Sequence, residues 1–130
     1  MSKLNADLLM PVSDAIRDLM DTLTEQMKNA DLPEAAAGVA KKAHTSLEPS
    51  ADRLGKRGFS MPMEGAEAQV EQMISAVKAM KKAAGDPDKL AMAGDFSTIM
   101  MKLAGAVMSK NAASITGYVT ELTEMSKTLE

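Results

Sequence analysis

The segment "IMMKLAGAVMSKN", Ile99–Asn111, decides how the C-terminal part of the chain folds. In a helix with about 100° between residues, Ile99, Leu103 and Val107 share one side, whereas Met101 and Met108 point well away from it. An apolar arc this wide exceeds what one neighbouring surface covers. We therefore expect Met101 and Met108 to contact a second neighbour, either another helix of the chain or a second subunit.

The same region follows a seven-residue repeat, which predicts one long C-terminal helix from Asp95 to about Leu129 with coiled-coil-like packing. Interior glycines cost a helix about 1 kcal/mol each, so a break at Gly105 or Gly117 is the alternative. The repeat consists of Gly94, Met101, Met108, Ile115, Leu122 and Leu129, followed at three-residue offsets by Ser97, Ala104, Asn111, Tyr118 and Met125.

An unbroken helix of roughly 35 residues would be about 50 Å long and would overhang its shorter neighbours. Its last apolar residues would then need a partner, and a buried Asn in the seam would fix register and oligomer number. We predict a protein partner, with a second copy of the chain as the first choice. The predicted partner-binding residues are Met101, Met108, Asn111, Ile115, Tyr118, Leu122, Met125 and Leu129.

Apolar residues recur at three- and four-residue intervals throughout, without alternating runs, which predicts helices only. Pro49 interrupts the apolar stripe of the second helix, so we expect a kink near Thr45–Pro49 or two short helices. Gly55–Gly65 is the longest predicted loop, and its apolar residues either pack beneath it or offer a contact. The predicted fold is all-α: an antiparallel four-helix bundle with a kinked second helix and a long C-terminal helix, in one domain over residues 1–130.

The charge is unevenly distributed although the net charge is only −3. Residues 1–34 carry seven acids and three bases, whereas residues 35–60 carry five bases and two acids. This order favours antiparallel pairing of the first two helices. Weak net charge and only three aromatic residues argue against nucleic-acid binding. We expect no membrane span and a cytoplasmic location, with export by a leaderless route left open.

The residues available for catalysis are few. The chain has no cysteine and one histidine, His44, which is followed by Ser46–Pro49 rather than by the lysine and glycine of phosphotransfer domains. Acids on the first helix lack the Glu-x-x-His pairs of di-metal bundles. We expect no enzyme activity, metal or cofactor. The 13 methionines suit a soft core or an adaptable binding surface.

We therefore predict a non-enzymatic interaction module that self-associates or binds a partner helix through its C-terminal helix. Two alternatives remain open. The sequence "GDPDKL", Gly85–Leu90, followed by a long, sparsely charged helix, is similar to the ends of type III secretion rod and needle subunits, over residues 85–130. This resemblance implies a secretion-associated protein: an export substrate, a filament-like subunit or a chaperone. A bundle core rich in Met and Ala also allows a small-ligand carrier.

Overall fold

A computed structural model describes residues 2–129, and this part of the chain is mostly helical, as expected for the all-α class. It contains five helices instead of the four predicted, and a small two-stranded sheet. The helices are α1 (Ala6–Met27), α2 (Glu34–Leu54), α3 (Ala66–Ala84), α4 (Met92–Met108) and α5 (Ala112–Leu129), and the strands are β1 (Lys3–Asn5) and β2 (Ser60–Pro62). Residues 1 and 130, the ends of the predicted domain, lie outside the described residues.

The sheet joins the N-terminus to the segment between α2 and α3. β1 and β2 are antiparallel, with Leu4 opposite Met61, and both side chains are buried. Met63 is buried too, so the methionines of the predicted loop pack beneath it. Three-residue strands are shorter than the four to eight residues over which alternation is readable, and the sequence therefore did not reveal them. At the end of β1, Asn5 Oδ1 accepts a hydrogen bond from the Leu8 N–H over 2.9 Å and caps α1.

The predicted long C-terminal helix is wrong, because the chain turns back at Ser109–Asn111. The N–H of Lys110 donates to the Val107 carbonyl and that of Asn111 to the Ala106 carbonyl, both over 3.0 Å. These two bonds form a Schellman motif, in which the residue after the cap adopts a left-handed conformation. That residue is Lys110, with φ 56°. Asn111 Oδ1 then accepts from the Ser114 N–H over 3.0 Å and caps α5.

Helix α2 continues through Pro49 to Leu54, so it is one helix and not two short ones. Pro49 is exposed. Leu47 and Ala51, the core-facing residues before and after it, are both fully buried, so the apolar stripe of α2 continues past the proline. Because proline has no N–H, the carbonyl four residues earlier loses its helical partner. A bend at this point stays a prediction.

The ends of α1 and α2 show that these two helices run in opposite directions. Only residues 28–33 join the end of α1 to the start of α2, and the Ala6 N–H at the start of α1 donates to the Phe59 carbonyl, beyond the end of α2, over 3.0 Å. The buried Ser13 hydroxyl donates to the Ala51 carbonyl over 2.8 Å, and Arg17, one turn further along α1, pairs with Asp52. The pair joins the minority charge of each helix: a base on the acidic helix and an acid on the basic one. The interface between α1 and α2 therefore consists of apolar packing and the Ser13 hydrogen bond. Attraction between an acidic and a basic helix does not account for it.

The helices form a ring of neighbours in the order α1–α2–α4–α5–α3, and α3 also touches α4 across the interior. Gly94 of α4 faces Val39 of α2, whereas Met108, fourteen residues later, lines a recess with Lys56 and Phe59 beyond the end of α2. These neighbours therefore run in the same direction, unlike the antiparallel arrangement that was predicted.

The same is true of α3 and α5. Gln69 Nε2 donates to Thr116 Oγ1 over 3.0 Å near the start of both helices, and Leu129 lies beside Ala83 at their ends. Six of the methionines are buried, which makes the core the main use of this residue type. The buried methionines are Met20, Met61, Met63, Met73, Met80 and Met100.

Candidate interaction surfaces

Three of the predicted partner-binding residues belong to the chain's own core. Ile115 and Leu122 are fully buried and Leu129 is 5% exposed. The turn at Ser109–Asn111 brings α5 back against α3 and α4, so the overhanging turns predicted for a continuous helix do not exist. In this conformation the three side chains pack against residues of the same chain and are not accessible to a partner.

The other five predicted residues are half-buried or exposed. Met108, Tyr118 and Met125 are half-buried and pack against the core. Asn111 is exposed, and it caps α5 instead of lying in a buried seam. Met101 is 44% exposed. The residues of the predicted seam are thus partly buried and partly exposed. Among its apolar residues, only Met101 is large and exposed.

Positive charge clusters at the end of α4, two turns along the helix from Met101. Met108 lines a recess of about 220 Å³ together with Phe59, Lys56, Arg57 and Lys110. All three cationic residues are exposed, and none forms an ion pair with a carboxylate among residues 2–129. We call the surface formed by Met101, Lys102, Met108, Phe59, Lys56, Arg57 and Lys110 the Met101 surface.

A second exposed methionine lies on α1, within a surface of opposite charge. Met10 is 40% exposed and is, with Met101, one of two exposed large apolar side chains in the described part of the chain. Acidic residues recur before and after it at helical spacing, and all of them are exposed. We call this stripe, formed by Asp7, Met10, Asp14, Asp18, Asp21 and Glu25, the acidic face of α1.

The acids of the first helix were considered from the sequence as candidate ligands of a di-metal site, and Met10 was not recognised as part of their stripe. Helical spacing places Met10 between Asp7 and Asp14 and would have identified an apolar residue within the stripe.

Other sites considered from the sequence have little structural support. Within residues 2–129, no group of three His, Cys, Asp or Glu side chains is placed to hold a metal ion. His44 is half-buried. A recess of about 940 Å³ lies where α1, α3 and α5 begin, but it is an open depression with charged residues such as Lys3, Asp7 and Glu67 along its lining.

No helix in the described part of the chain has the length and apolar character needed to cross a membrane. Comparison of the chain with protein-family models, with curated proteins and with solved structures found no match. The geometry of its own surfaces is therefore what guides the functional proposal.

Proposed function

We propose that this protein is a non-enzymatic interaction module that self-associates by docking the acidic face of α1 on the Met101 surface of another copy. One observation carries the proposal: the two exposed large apolar side chains lie near charges of opposite sign, Met10 within the acidic face of α1 and Met101 two turns along α4 from the cationic residues beside Met108. A hydrophobic anchor inside a ring of charge is the arrangement that specific interfaces use.

The chemistry of the two surfaces is complementary. Asp14 and Asp18 would face cations such as Arg57 and Lys102, while Met10 and Met101 would contact one another. Methionine adapts its shape to a partner because its side chain is unbranched and polarizable. Burying a large apolar side chain contributes on the order of 1.5–3 kcal/mol at most, and association costs several kcal/mol in lost freedom. We therefore expect weak association that depends on concentration.

The two surfaces lie on different helices, α1 and α4, which are separated by α2 in the ring of neighbours. A contact between unlike surfaces is heterologous, and it either closes into a ring or continues as a filament. This relationship favours a filament-like subunit as the second candidate. The resemblance of residues 85–130 to secretion rod and needle proteins adds little to it, because the long helix on which that resemblance rested is interrupted at Ser109–Asn111. A partner helix with acidic and apolar residues would use the Met101 surface in the same way.

The proposal is tested by reversing charge on one surface at a time. One variant carries Asp14→Lys and Asp18→Lys, another carries Arg57→Glu and Lys102→Glu, and a third carries Met101→Lys. A matched control carries Lys78→Glu and Lys81→Glu on α3, outside both surfaces. Sedimentation velocity at low salt, over a wide range of protein concentration, measures association, and circular dichroism verifies folding.

We expect each surface variant to be monomeric and the α3 control to associate like the wild type. An equimolar mixture of the two charge-reversed variants should associate again, because an intact acidic face then meets an intact Met101 surface. Raising the salt concentration should weaken wild-type association, since screening is strong beyond about 10 Å at 0.1 M. Wild-type protein that stays monomeric at low salt, or surface variants that associate like wild type, would refute the proposal.

A further inference from the structure

We infer that α5 can exchange between two copies of the chain, with the turn Ser109–Asn111 as the hinge. The inference concerns the α5 interface and does not rest on the Met101 surface. It begins with the backbone of Lys110, whose φ of 56° places a lysine in the left-handed region. Glycine is the usual residue at this position of a Schellman motif, since a Cβ is unfavourable there. The closed turn therefore holds a residue with a Cβ in a backbone conformation that is unfavourable for it.

The sequence on both sides of the hinge is compatible with one continuous helix. The seven-residue repeat runs through the turn from Met101 and Met108 in α4 to Ile115 and Leu122 in α5. If the turn straightened, the N–H groups of Lys110 and Asn111 would exchange their present partners, Val107 and Ala106, for regular helical ones. Opening therefore relieves the left-handed residue without leaving the backbone of the turn unbonded.

The side chains that α5 buries determine which surface it can bind after the hinge has opened. Ile115, Val119 and Leu122 are at most 1% exposed in the closed chain and pack on the side of α5 that meets α3 and α4. An opened chain would expose these side chains together with the groove that held them. A second opened copy offers the same groove, so two chains restore every α5 contact by exchange. The difference between the closed and exchanged forms then lies mainly in the hinge, a short, strained connection of the kind that favours swapping.

Charge must be separated from strain in any test at the hinge. In the exchanged dimer the two opened helices would cross near the hinge, which brings Lys110 of one chain near Lys110 of the other. Repulsion between them opposes exchange and is reduced by salt. Lys110→Ala and Lys110→Gly both remove the charge, so these two variants differ only in the backbone conformation that the residue prefers. Alanine favours the opened helix, whereas glycine favours the closed left-handed turn.

The experiment refolds both variants from denaturant at high protein concentration and measures the dimer by light scattering after size exclusion. Intrachain geometry is measured with spin labels at Thr98→Cys and Glu121→Cys, because the natural chain has no cysteine. Labelled chains are diluted into excess unlabelled chain, so that only distances within one chain are observed. Twenty-three residues of continuous helix separate the labels by roughly 35 Å, whereas packed neighbouring helices have axes about 10 Å apart.

We expect the dimerisation constant of the Lys110→Ala variant to exceed that of Lys110→Gly at least about a hundredfold, with the long label distance in the dimer and the short one in the monomer. High salt should increase the exchanged dimer of the natural chain, which keeps Lys110, and Asp14→Lys with Asp18→Lys should leave that dimer unchanged, which distinguishes it from association through the Met101 surface. Equal dimerisation constants in the two variants, absence of dimer in both, or a dimer that keeps the short intrachain distance would each overturn the inference.

Discussion

The backbone N–H of Asn111 donates to the carbonyl oxygen of Ala106 over 3.0 Å, and this bond helps end α4 where an apolar repeat would have extended it. Because the chain reverses here, Ile115, Leu122 and Leu129 become core residues. The surface proposed for a partner therefore shifts from the C-terminal helix to the residues that remain accessible around Met101. One turn of three residues thus decides both the fold and the location of the candidate site.

The Asn111 cap should contribute measurably to stability. Replacing Asn111 with Ala removes the side-chain acceptor of the Ser114 N–H, and we expect the free energy of unfolding to fall by about 1 kcal/mol. Urea unfolding followed by circular dichroism measures the change. Asn111→Asp is the matched control, since aspartate caps equally well. If the Ala and Asp variants were equally stable, the hydrogen bond would not have its assigned role.

Two helix-interior glycines should be replaceable with a gain in stability. A Cβ added at Gly105 or Gly117 would meet nothing within 4 Å, so Gly105→Ala and Gly117→Ala should each raise the free energy of unfolding by up to about 1 kcal/mol. Gly65→Ala provides the contrast: its φ of +71° strains any Cβ, and we expect destabilisation. Thermal unfolding of the three variants tests this ranking, and a loss of stability at Gly105 or Gly117 would indicate a neighbour that the structure does not contain.

Truncating Leu122 should destabilise the single chain. Leu122 is fully buried, and Leu122→Ala should cost about 2–5 kcal/mol at any protein concentration. Met101→Ala, at a 44% exposed position of the same seven-residue repeat, should change the stability of the monomer by about 0.5 kcal/mol or less. Unfolding at two widely different protein concentrations separates the cases. A Leu122→Ala effect that depended on protein concentration would instead place this residue at an interface between copies.

Pro49 should be a source of instability in α2. Because it is an exposed residue inside a helix, Pro49→Ala would restore the missing hydrogen bond to the carbonyl of Thr45, and we expect a gain of about 1–3 kcal/mol. Guanidinium unfolding measures the effect. Glu48→Ala, at the exposed neighbouring position, serves as the control and should change stability by about 0.5 kcal/mol or less. No gain from Pro49→Ala would mean that α2 depends on the bend expected there.

The sequence predicted the helical class and much of the core because helical spacing records which side chains are buried. Of the predicted stripe Ile99, Leu103 and Val107, the last two are fully buried as expected, whereas Ile99 is half-buried. The break between α4 and α5 escaped prediction because Asn fits both a polar seam position and a helix cap. Only the closure of the Schellman motif distinguishes these roles, and it depends on a left-handed Lys110 that propensities disfavour.

The candidate site was predictable only in part for the same reason. Periodicity placed Met101 outside the buried stripe of α4, and it is 44% exposed. Its contact with a second neighbour stays a prediction. The cationic residues beside Met108, however, come from the segment after α2 and from the α4–α5 turn, and these two segments meet only because α2 and α4 run in the same direction. Local sequence patterns carry no information on helix direction, so Arg57 and Lys110 could not be placed beside Met108 beforehand.

The folded-back arrangement of α4 and α5 is the central claim, and a distance within one chain tests it most directly. Spin labels at Thr98→Cys and Glu121→Cys, measured on the monomer at low protein concentration, report whether the two helices are neighbours. The account predicts a separation under roughly 20 Å, as expected for packed helices with axes about 10 Å apart. A separation near 35 Å, the length of an uninterrupted helix between the labels, would contradict it.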